Sequence, residues 1–121
     1  MKAYTNIEQS KKLAEILPLE SADMFWIHVE REGFNDWWKV ETIQRSFIRR
    51  SMNIPCWSLA ALLSLMPKIE HMKPFIDLTP NLDSEEVAIY YHSEDSPYIV
   101  KDNLVDACYE MILKLNEQKL L

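Results

Sequence analysis

The chain has 121 residues, of which 48% are hydrophobic and 26% are charged, and its formal net charge is −6. A chain of this size and composition is expected to form a single globular domain, spanning residues 1–121, with one core. The negative charge argues against binding to duplex DNA, because DNA-binding surfaces are usually basic. Gly33 is the only glycine, so the sequence lacks the glycine-rich loops that hold phosphates and the glycine-flanked serine of hydrolases.

The start of the chain contains lysines but no apolar run, so we expect no secretory signal and a cytoplasmic location. Cys56 and Cys108 are far apart in the sequence and form no C-x-x-C pattern. This arrangement is typical of two buried, reduced thiols in a reducing compartment.

The first predicted element is a helix. Thr5 and Glu8 have the T-x-x-E spacing of a capping box, in which each side chain accepts a hydrogen bond from the other residue's backbone N–H. An apolar stripe follows, and Pro18 ends the helix because proline cannot donate the next helical hydrogen bond.

A hairpin is predicted next. Residues 24–30 are aromatic and β-branched, and their alternation predicts a strand with Phe25 and Ile27 on one face and Trp26 and His28 on the other. Turn-forming residues at 33–36 and a second strand over 37–43 complete the predicted hairpin.

Residues 51–67 contain no charged side chain, and Trp57–Met66 has the composition of a helix that is apolar nearly all round. This helix is too short to cross a bilayer, which requires about 20 apolar residues, so we expect no membrane contact. It is expected to be covered on more than one side, by the sheet and by another helix or a second subunit.

The C-terminal half predicts a short edge strand over 73–78, a second hairpin from 86–92 and 98–100, and a final amphipathic helix capped by Asn103. Hairpins rather than crossovers connect the strands. The predicted fold class is therefore α+β, an antiparallel β-sheet packed by about three α-helices in two layers.

Three segments carry a resemblance to a known family: Leu17–Met24, Ile54–Leu63 and Asp102–Ile112. Together they resemble a family of small uncharacterised proteins encoded in gut-bacterial genomes and their mobile elements. The chain departs from the family at Leu104, where relatives have proline. The resemblance implies a bacterial origin and a fold shared with this family. It implies no activity, because none is assigned to the family.

The histidines are the first candidates for chemistry. His28, His71 and His92 are well separated in the sequence, and two of them with a nearby carboxylate would provide ligands for zinc or manganese. No metal-binding spacing such as H-E-x-x-H accompanies them. We therefore expect structural histidines, no catalytic residue, and neither a metal nor another cofactor.

Residues 37–50 combine aromatic and basic side chains. Trp37 and Trp38 are adjacent, so alternation along a strand sends them to opposite faces, and at least one points away from the core layer. Residues 39–50 carry a local charge of +3, to which Arg45, Arg49 and Arg50 contribute. Aromatic and arginine side chains are enriched in protein interfaces. The same combination also binds single-stranded nucleic acid.

The favoured interpretation is a small non-enzymatic interaction domain that self-associates as a homodimer or binds another protein. Its contact surface is expected to have aromatic anchors and a basic rim: Trp37, Trp38, Trp57, Arg45, Arg49 and Arg50. One alternative is a small-molecule or metal-binding protein, or a modest enzyme, with a pocket formed by Trp26, His28, Tyr91 and His92. The other is a single-stranded nucleic-acid binder, which the negative net charge disfavours.

Overall fold

A computed structural model of the chain describes residues 2–29, 37–42, 54–78, 85–93 and 96–121. These residues form three α-helices: α1 (Ile7–Ile16), α2 (Leu59–Leu65) and α3 (Leu104–Glu117). They also form a 3-10 helix, Leu19–Ser21, and six strands: β1 (Met24–Val29), β2 (Trp37–Thr42), β3 (Ile54–Cys56), β4 (Phe75–Asp77), β5 (Val87–Tyr90) and β6 (Tyr98–Lys101).

The strands form two antiparallel sheets. The order is β2-β1-β3 in the first sheet and β4-β5-β6 in the second. The predicted α+β class, with antiparallel pairing and three helices, is confirmed. The strands are divided between two sheets, however, and the sequence pattern does not predict β3. This strand has three residues with Pro55 in the middle, a composition that only an edge strand tolerates.

The chain divides into two compact units. The first is Tyr4–Ala61, and the second is Leu62–Leu121 together with Met1–Ala3. Within the first unit, α1 packs against β3; within the second, α3 packs against β5 and β6. The prediction of one domain over residues 1–121 stays a prediction.

Both predicted hairpin pairings are present. In the first, Met24 on β1 lies opposite Thr42 on β2, and the predicted turn at 33–36 lies outside the described residues. In the second, Val87 on β5 lies opposite Lys101 on β6. The short strand β4 occupies an edge of the second sheet, as predicted.

The first helix, α1, begins one residue later than the sequence pattern predicts. Asn6 is its N-cap: its side chain accepts a hydrogen bond from the Gln9 N–H at 2.8 Å, and the Gln9 side chain accepts one from the Asn6 N–H at 3.1 Å. The prediction of a capping box between Thr5 and Glu8 is therefore wrong. Two overlapping patterns, T-x-x-E and N-x-x-Q, compete for the helix end, and Thr5 is bonded elsewhere.

Thr5 is completely buried. Its hydroxyl accepts a hydrogen bond from the Trp57 backbone N–H at 3.2 Å and lies 2.8 Å from the hydroxyl of Ser10, which is also completely buried. The Thr5 N–H donates in turn to the Trp57 carbonyl at 3.0 Å. These bonds satisfy polar groups that water does not reach.

The second helix, α2, is shorter than predicted, and one of its faces is exposed. Ser58 precedes it, and the Ser58 hydroxyl accepts a hydrogen bond from the Ala61 N–H at 3.2 Å. Ala60 and Ser64 are exposed, whereas Leu62 is completely buried. The exposed positions are alanine and serine, which tolerate contact with water, and the prediction that the helix is covered on more than one side stays a prediction.

The third helix, α3, begins as predicted. The Asn103 side chain accepts a hydrogen bond from the Asp106 N–H at 2.9 Å. The Asp106 carboxylate also accepts one from the Lys2 ammonium at 2.7 Å. The predicted apolar stripe begins with Leu104, which is half-buried, and its other four residues are buried: Cys108, Met111, Ile112 and Leu115.

The C-terminal end of α3 closes without glycine. Lys119 has a φ of 58°, in the left-handed region that glycine usually occupies at this position. The Leu120 N–H donates to the Leu115 carbonyl at 2.9 Å, and the Lys119 N–H donates to the Asn116 carbonyl at 3.0 Å. This pair of bonds is a Schellman motif, and it holds a lysine in a conformation that costs about 1 kcal/mol.

Candidate functional site

One face of the second sheet carries a row of aromatic side chains. Phe75 on β4, Tyr90 on β5 and Tyr98 on β6 are register partners. The ring centroids of Phe75 and Tyr90 are 5.8 Å apart, and those of Tyr90 and Tyr98 are 5.2 Å apart. His92 meets the Phe75 ring edge-on, with centroids 5.4 Å apart. The row thus crosses the sheet from one edge strand to the other.

Exposed apolar side chains lie in β4 and on either side of it. Ile76 is 40% exposed, Leu78 is 64% exposed, and Met72, which precedes the strand, is 46% exposed. Because side chains alternate along a strand, Ile76 lies on the face opposite to Phe75; Met72 and Leu78 lie before and after the strand. An apolar edge strand of this kind is a template for pairing with another strand. We call residues 72–78 the edge segment.

A tight turn leads into the edge segment. Ile69 and Met72 exchange backbone hydrogen bonds of 2.9 and 3.1 Å. The two residues between them, Glu70 and His71, both have positive φ, at 53° and 68°. Positive φ at both central positions is the geometry of a type I′ turn, which normally selects asparagine or glycine. A Glu-His pair carries no such signal, so the sequence analysis does not predict this turn.

Two opposite charges flank the middle of the edge segment. Lys73 precedes β4 by two residues, and Asp77 is its last residue, on the same face as Phe75 by alternation. Lys73 is exposed, and its ammonium donates a hydrogen bond to the Met66 carbonyl. An ammonium has three N–H donors, so this bond leaves donors for a further acceptor.

Tyr91 supports the segment that follows α2. It is buried, and its hydroxyl donates a hydrogen bond to the Pro67 carbonyl at 2.6 Å. Burial raises the pKa of Tyr91 to about 12. Its ring is therefore part of the packing of the second unit, and its hydroxyl stays protonated at neutral pH.

The residues of the predicted aromatic and histidine pocket belong to different units. Trp26 lies in the first unit, where its indole N–H donates to the Thr5 carbonyl at 3.0 Å and its ring meets Tyr4 edge-on, with centroids 5.7 Å apart. For His28, the structure describes the backbone of β1. Tyr91 and His92 lie in the second unit. Trp26 and Tyr91 each have their polar atom bonded to a backbone carbonyl.

The residues of the predicted contact surface have different environments. Trp57 is completely buried, and its indole N–H donates to the Ser21 hydroxyl at 2.9 Å, so its ring offers no surface to a partner. Trp37 and Trp38 lie on β2, where Trp38 is half-buried. The three arginines of the predicted rim lie outside the described residues: Arg45, Arg49 and Arg50.

Both thiols are buried and unpaired with each other. Burial raises the pKa of Cys108 to about 12. Burial also raises the pKa of Cys56, against the opposing effect of hydrogen bonds from Thr5 and Ser10. A raised pKa disfavours the thiolate, which is the nucleophilic form. Among the described residues, no group of three or more His, Cys, Asp and Glu side chains is arranged to hold a metal ion.

The second unit also contains an open cavity of about 360 Å³, lined by Ile69, Ser93, Ser96, Gln118 and Leu120. Its volume is at the lower end of the range for small-molecule pockets, about 300–1,000 Å³. Its lining is mostly apolar, and Ser96 donates its hydroxyl to the Tyr91 carbonyl at 2.8 Å.

Comparison of the chain with protein-family models, with curated proteins and with solved structures finds no match. No helix in the described part of the chain has the length and apolar character that a membrane crossing requires. The functional assignment therefore depends on the surface of the protein itself. The sequence analysis predicted the edge strand but did not single out the exposed apolar side chains in and beside it, which are Met72, Ile76 and Leu78. The feature that could have indicated them is their spacing of four and two residues.

Proposed function

We propose that this protein is a non-enzymatic interaction domain that self-associates as a homodimer through the edge segment. The observation that supports this most directly is the exposure of Met72, Ile76 and Leu78 in and beside an edge strand. An apolar edge pairs with other strands, and proteins limit this pairing with short strands, charges and proline. β4 has three residues, and the edge segment contains Lys73, Pro74 and Asp77, so the pairing is expected to be weak and reversible. In a self-associating protein the second copy supplies the cover.

The area available suits a reversible dimer. Complete burial of a leucine, isoleucine or methionine side chain is worth about 1.5–3 kcal/mol. The three side chains are about half exposed, so covering them in both copies contributes about 6 kcal/mol. Association itself costs about 4–15 kcal/mol in lost translational and rotational freedom. Backbone pairing along the edge adds to the favourable side, so we expect dimers that dissociate on dilution.

The surface differs from the one that the sequence predicts, although the proposed function is the same. A tryptophan anchor requires an exposed ring, and Trp57 is completely buried. The edge segment offers the exposed apolar area instead. A bacterial origin belongs to this proposal through the family resemblance, and a cytoplasmic location through the two free cysteines, which are typical of a reducing compartment.

The test is the molar mass in solution, measured by light scattering across a dilution series. We expect a mass near twice 14.3 kDa at high concentration that falls toward 14.3 kDa on dilution. The double variant Ile76→Ser and Leu78→Ser is expected to be monomeric throughout. A matched control is Leu19→Ser, which removes a 59% exposed leucine from the first unit and should leave the mass unchanged. A wild-type monomer at every concentration, or equal loss in the control, would refute the proposal.

A second candidate function is small-molecule binding in the cavity beside Gln118, which its volume supports. Thermal shifts with a panel of small metabolites and with Zn²⁺ test this, because a ligand that binds the folded state raises the melting temperature. A shift that disappears in Gln118→Ala supports the cavity as the site. A shift that persists in Gln118→Ala, or the absence of a shift with every compound of the panel, counts against the cavity as a binding site.

A further inference from the structure

The aromatic row ends at an exposed side chain on β6. Tyr98 is 58% exposed, whereas Phe75 and Tyr90 are half-buried. Tyr90 packs against the Tyr98 ring from β5, with centroids 5.2 Å apart, and β6 is an edge strand in the described part of the second sheet. The side of the Tyr98 ring that faces away from Tyr90 is therefore available to a ligand.

The hairpin formed by β5 and β6 is strongly acidic. In the sequence, residues 85–102 contain five carboxylates and one lysine, a local charge of −4. Glu85 and Glu86 precede β5 and Asp102 follows β6, so these three carboxylates flank the same end of the hairpin. Glu85 and Asp102 are exposed, and Glu86 is half-buried. None of the ion pairs between described residues involves them.

The lysines of the second sheet lie away from the Tyr98 ring. Alternation within β6 sends Lys101 to the opposite face of the sheet. Lys73 precedes β4, at the other edge of the sheet, and donates a hydrogen bond to the Met66 carbonyl. The hairpin thus combines the open face of a tyrosine ring with negative charge, and both of these attract a cation.

We propose that Tyr98, Glu86 and Asp102 form a docking surface for an arginine-bearing segment of a different, basic protein. A guanidinium group stacks on the face of an aromatic ring and also pairs with carboxylates, so arginine suits both parts of the surface. A second copy of this chain would bring a net charge of −6 to the acidic hairpin, so the charge favours a different protein as the occupant.

The geometry of the hairpin calls for two basic residues in the partner. The pair Val87–Lys101, beside the three carboxylates, is three positions along the strands from the pair Tyr90–Tyr98. Three positions correspond to about 10 Å at the rise of a β-strand, so one guanidinium group does not contact both places. Residues four positions apart in an extended segment span a similar distance and share one side of the segment.

The test is an NMR titration of the isotope-labelled protein with an acetylated and amidated peptide of sequence Arg-Ala-Ala-Ala-Arg. We expect saturable shifts of the Tyr98 and Asp102 amide signals, and weaker binding as salt is added. The peptide with two lysines should bind about threefold more weakly, because an ammonium group does not pair in a bidentate manner, and the peptide with two glutamines should not bind. The absence of saturable shifts with the arginine peptide, or saturable shifts confined to other residues, overturns the proposal.

Variants of the surface separate the ring from the charges. Tyr98→Leu keeps an apolar side chain but removes the ring, and it should weaken binding of the arginine peptide about fourfold, whereas Tyr98→Phe should stay within about twofold of the wild type. The double variant E86Q/D102N should weaken binding about fivefold. Its matched control is E8Q/E20Q, which removes two exposed carboxylates from the first unit and should stay within about twofold.

The remaining outcomes decide the identity of the occupant. Weaker peptide binding in Tyr98→Leu with unchanged self-association in light scattering supports a different protein. If Tyr98→Leu weakens self-association as much as it weakens peptide binding, the occupant is a second copy and the proposal is overturned. Equal effects of E86Q/D102N and E8Q/E20Q also overturn it. If Tyr98→Leu is unfolded by circular dichroism, this comparison of the two carboxylate variants decides the proposal.

The proposal is independent of self-association through the edge segment. Ile76 lies on the face of the sheet opposite to the aromatic row. The double variant Ile76→Ser and Leu78→Ser should therefore bind the arginine peptide as the wild type does, and loss of peptide binding in this variant counts against the docking surface. A wild-type protein that is monomeric at every concentration refutes self-association and leaves the peptide titration valid.

Discussion

Replacement of Thr5 by valine tests the buried hydrogen bonds of the first unit. Valine has nearly the same shape as threonine but has no hydroxyl. The substitution therefore removes the acceptor for the Trp57 N–H, 3.2 Å away, and the partner of the Ser10 hydroxyl, 2.8 Å away. Thr5 and Ser10 are completely buried, so water does not take the place of the missing group.

The expected cost follows from the groups that are left without a partner. A buried donor or acceptor that loses its hydrogen bond costs about 1–3 kcal/mol. The Trp57 N–H is fixed in the backbone and bears this cost in full. The Ser10 hydroxyl lies on α1, where a serine side chain can turn back to a helix carbonyl and recover part of its bonding. We expect T5V to lower the free energy of unfolding by about 2–4 kcal/mol.

Urea unfolding of four variants provides the assay. Thr5→Ser keeps the hydroxyl and deletes a methyl group, so its cost should be about 1 kcal/mol. Asn6→Ala removes the observed N-cap and should cost about 1 kcal/mol, whereas Glu8→Ala should be nearly neutral. The reasoning is refuted if T5V is no less stable than T5S. It is also refuted if Glu8→Ala costs as much as Asn6→Ala, because the capping box would then include Glu8.

Two further predictions concern α3. Lys119→Gly relieves the left-handed strain at φ 58° and should raise the free energy of unfolding by about 1 kcal/mol, whereas Lys119→Ala should be neutral; equal stabilities in chemical denaturation would contradict this. The folded pKa of Cys108 is raised by burial from 9.0 to about 12, so its contribution to stability is complete below pH 9 and is lost as pH rises toward 12. Between these values the wild-type free energy of unfolding should fall more steeply than that of Cys108→Ala, by about 1.4 kcal/mol per pH unit, and parallel profiles would contradict it.

Elements with a strong period or a clear cap were predictable from the sequence. The buried stripe of α3 repeats at helical spacing after Asn103, and the alternation of residues 24–29 indicates strand β1. These patterns arise within a few neighbouring residues, so no knowledge of the rest of the fold is needed to interpret them.

Other features depend on contacts between distant residues. Thr5 fits a helix cap by local pattern, but its bond to Trp57, across 52 positions of sequence, decides its role. The three residues of β3 have no alternation to detect and become a strand only by pairing with β1. The exposure of the edge segment was not predictable for a similar reason. Alternation indicates which residues share a face but not which face is covered.

The ion pair between Lys2 and Asp106 has a consequence for the order of events during synthesis. Residues 4–61 form a unit that is continuous in the sequence, so every residue of this unit has been made before β4 is translated. Lys2 precedes this unit in the sequence, yet its partner lies 104 positions later. Because domains tend to fold in the order in which they are synthesised, the first unit can form its contacts before Asp106, the partner of Lys2, has been made. Docking of Lys2 onto α3 is therefore expected after the first unit has formed.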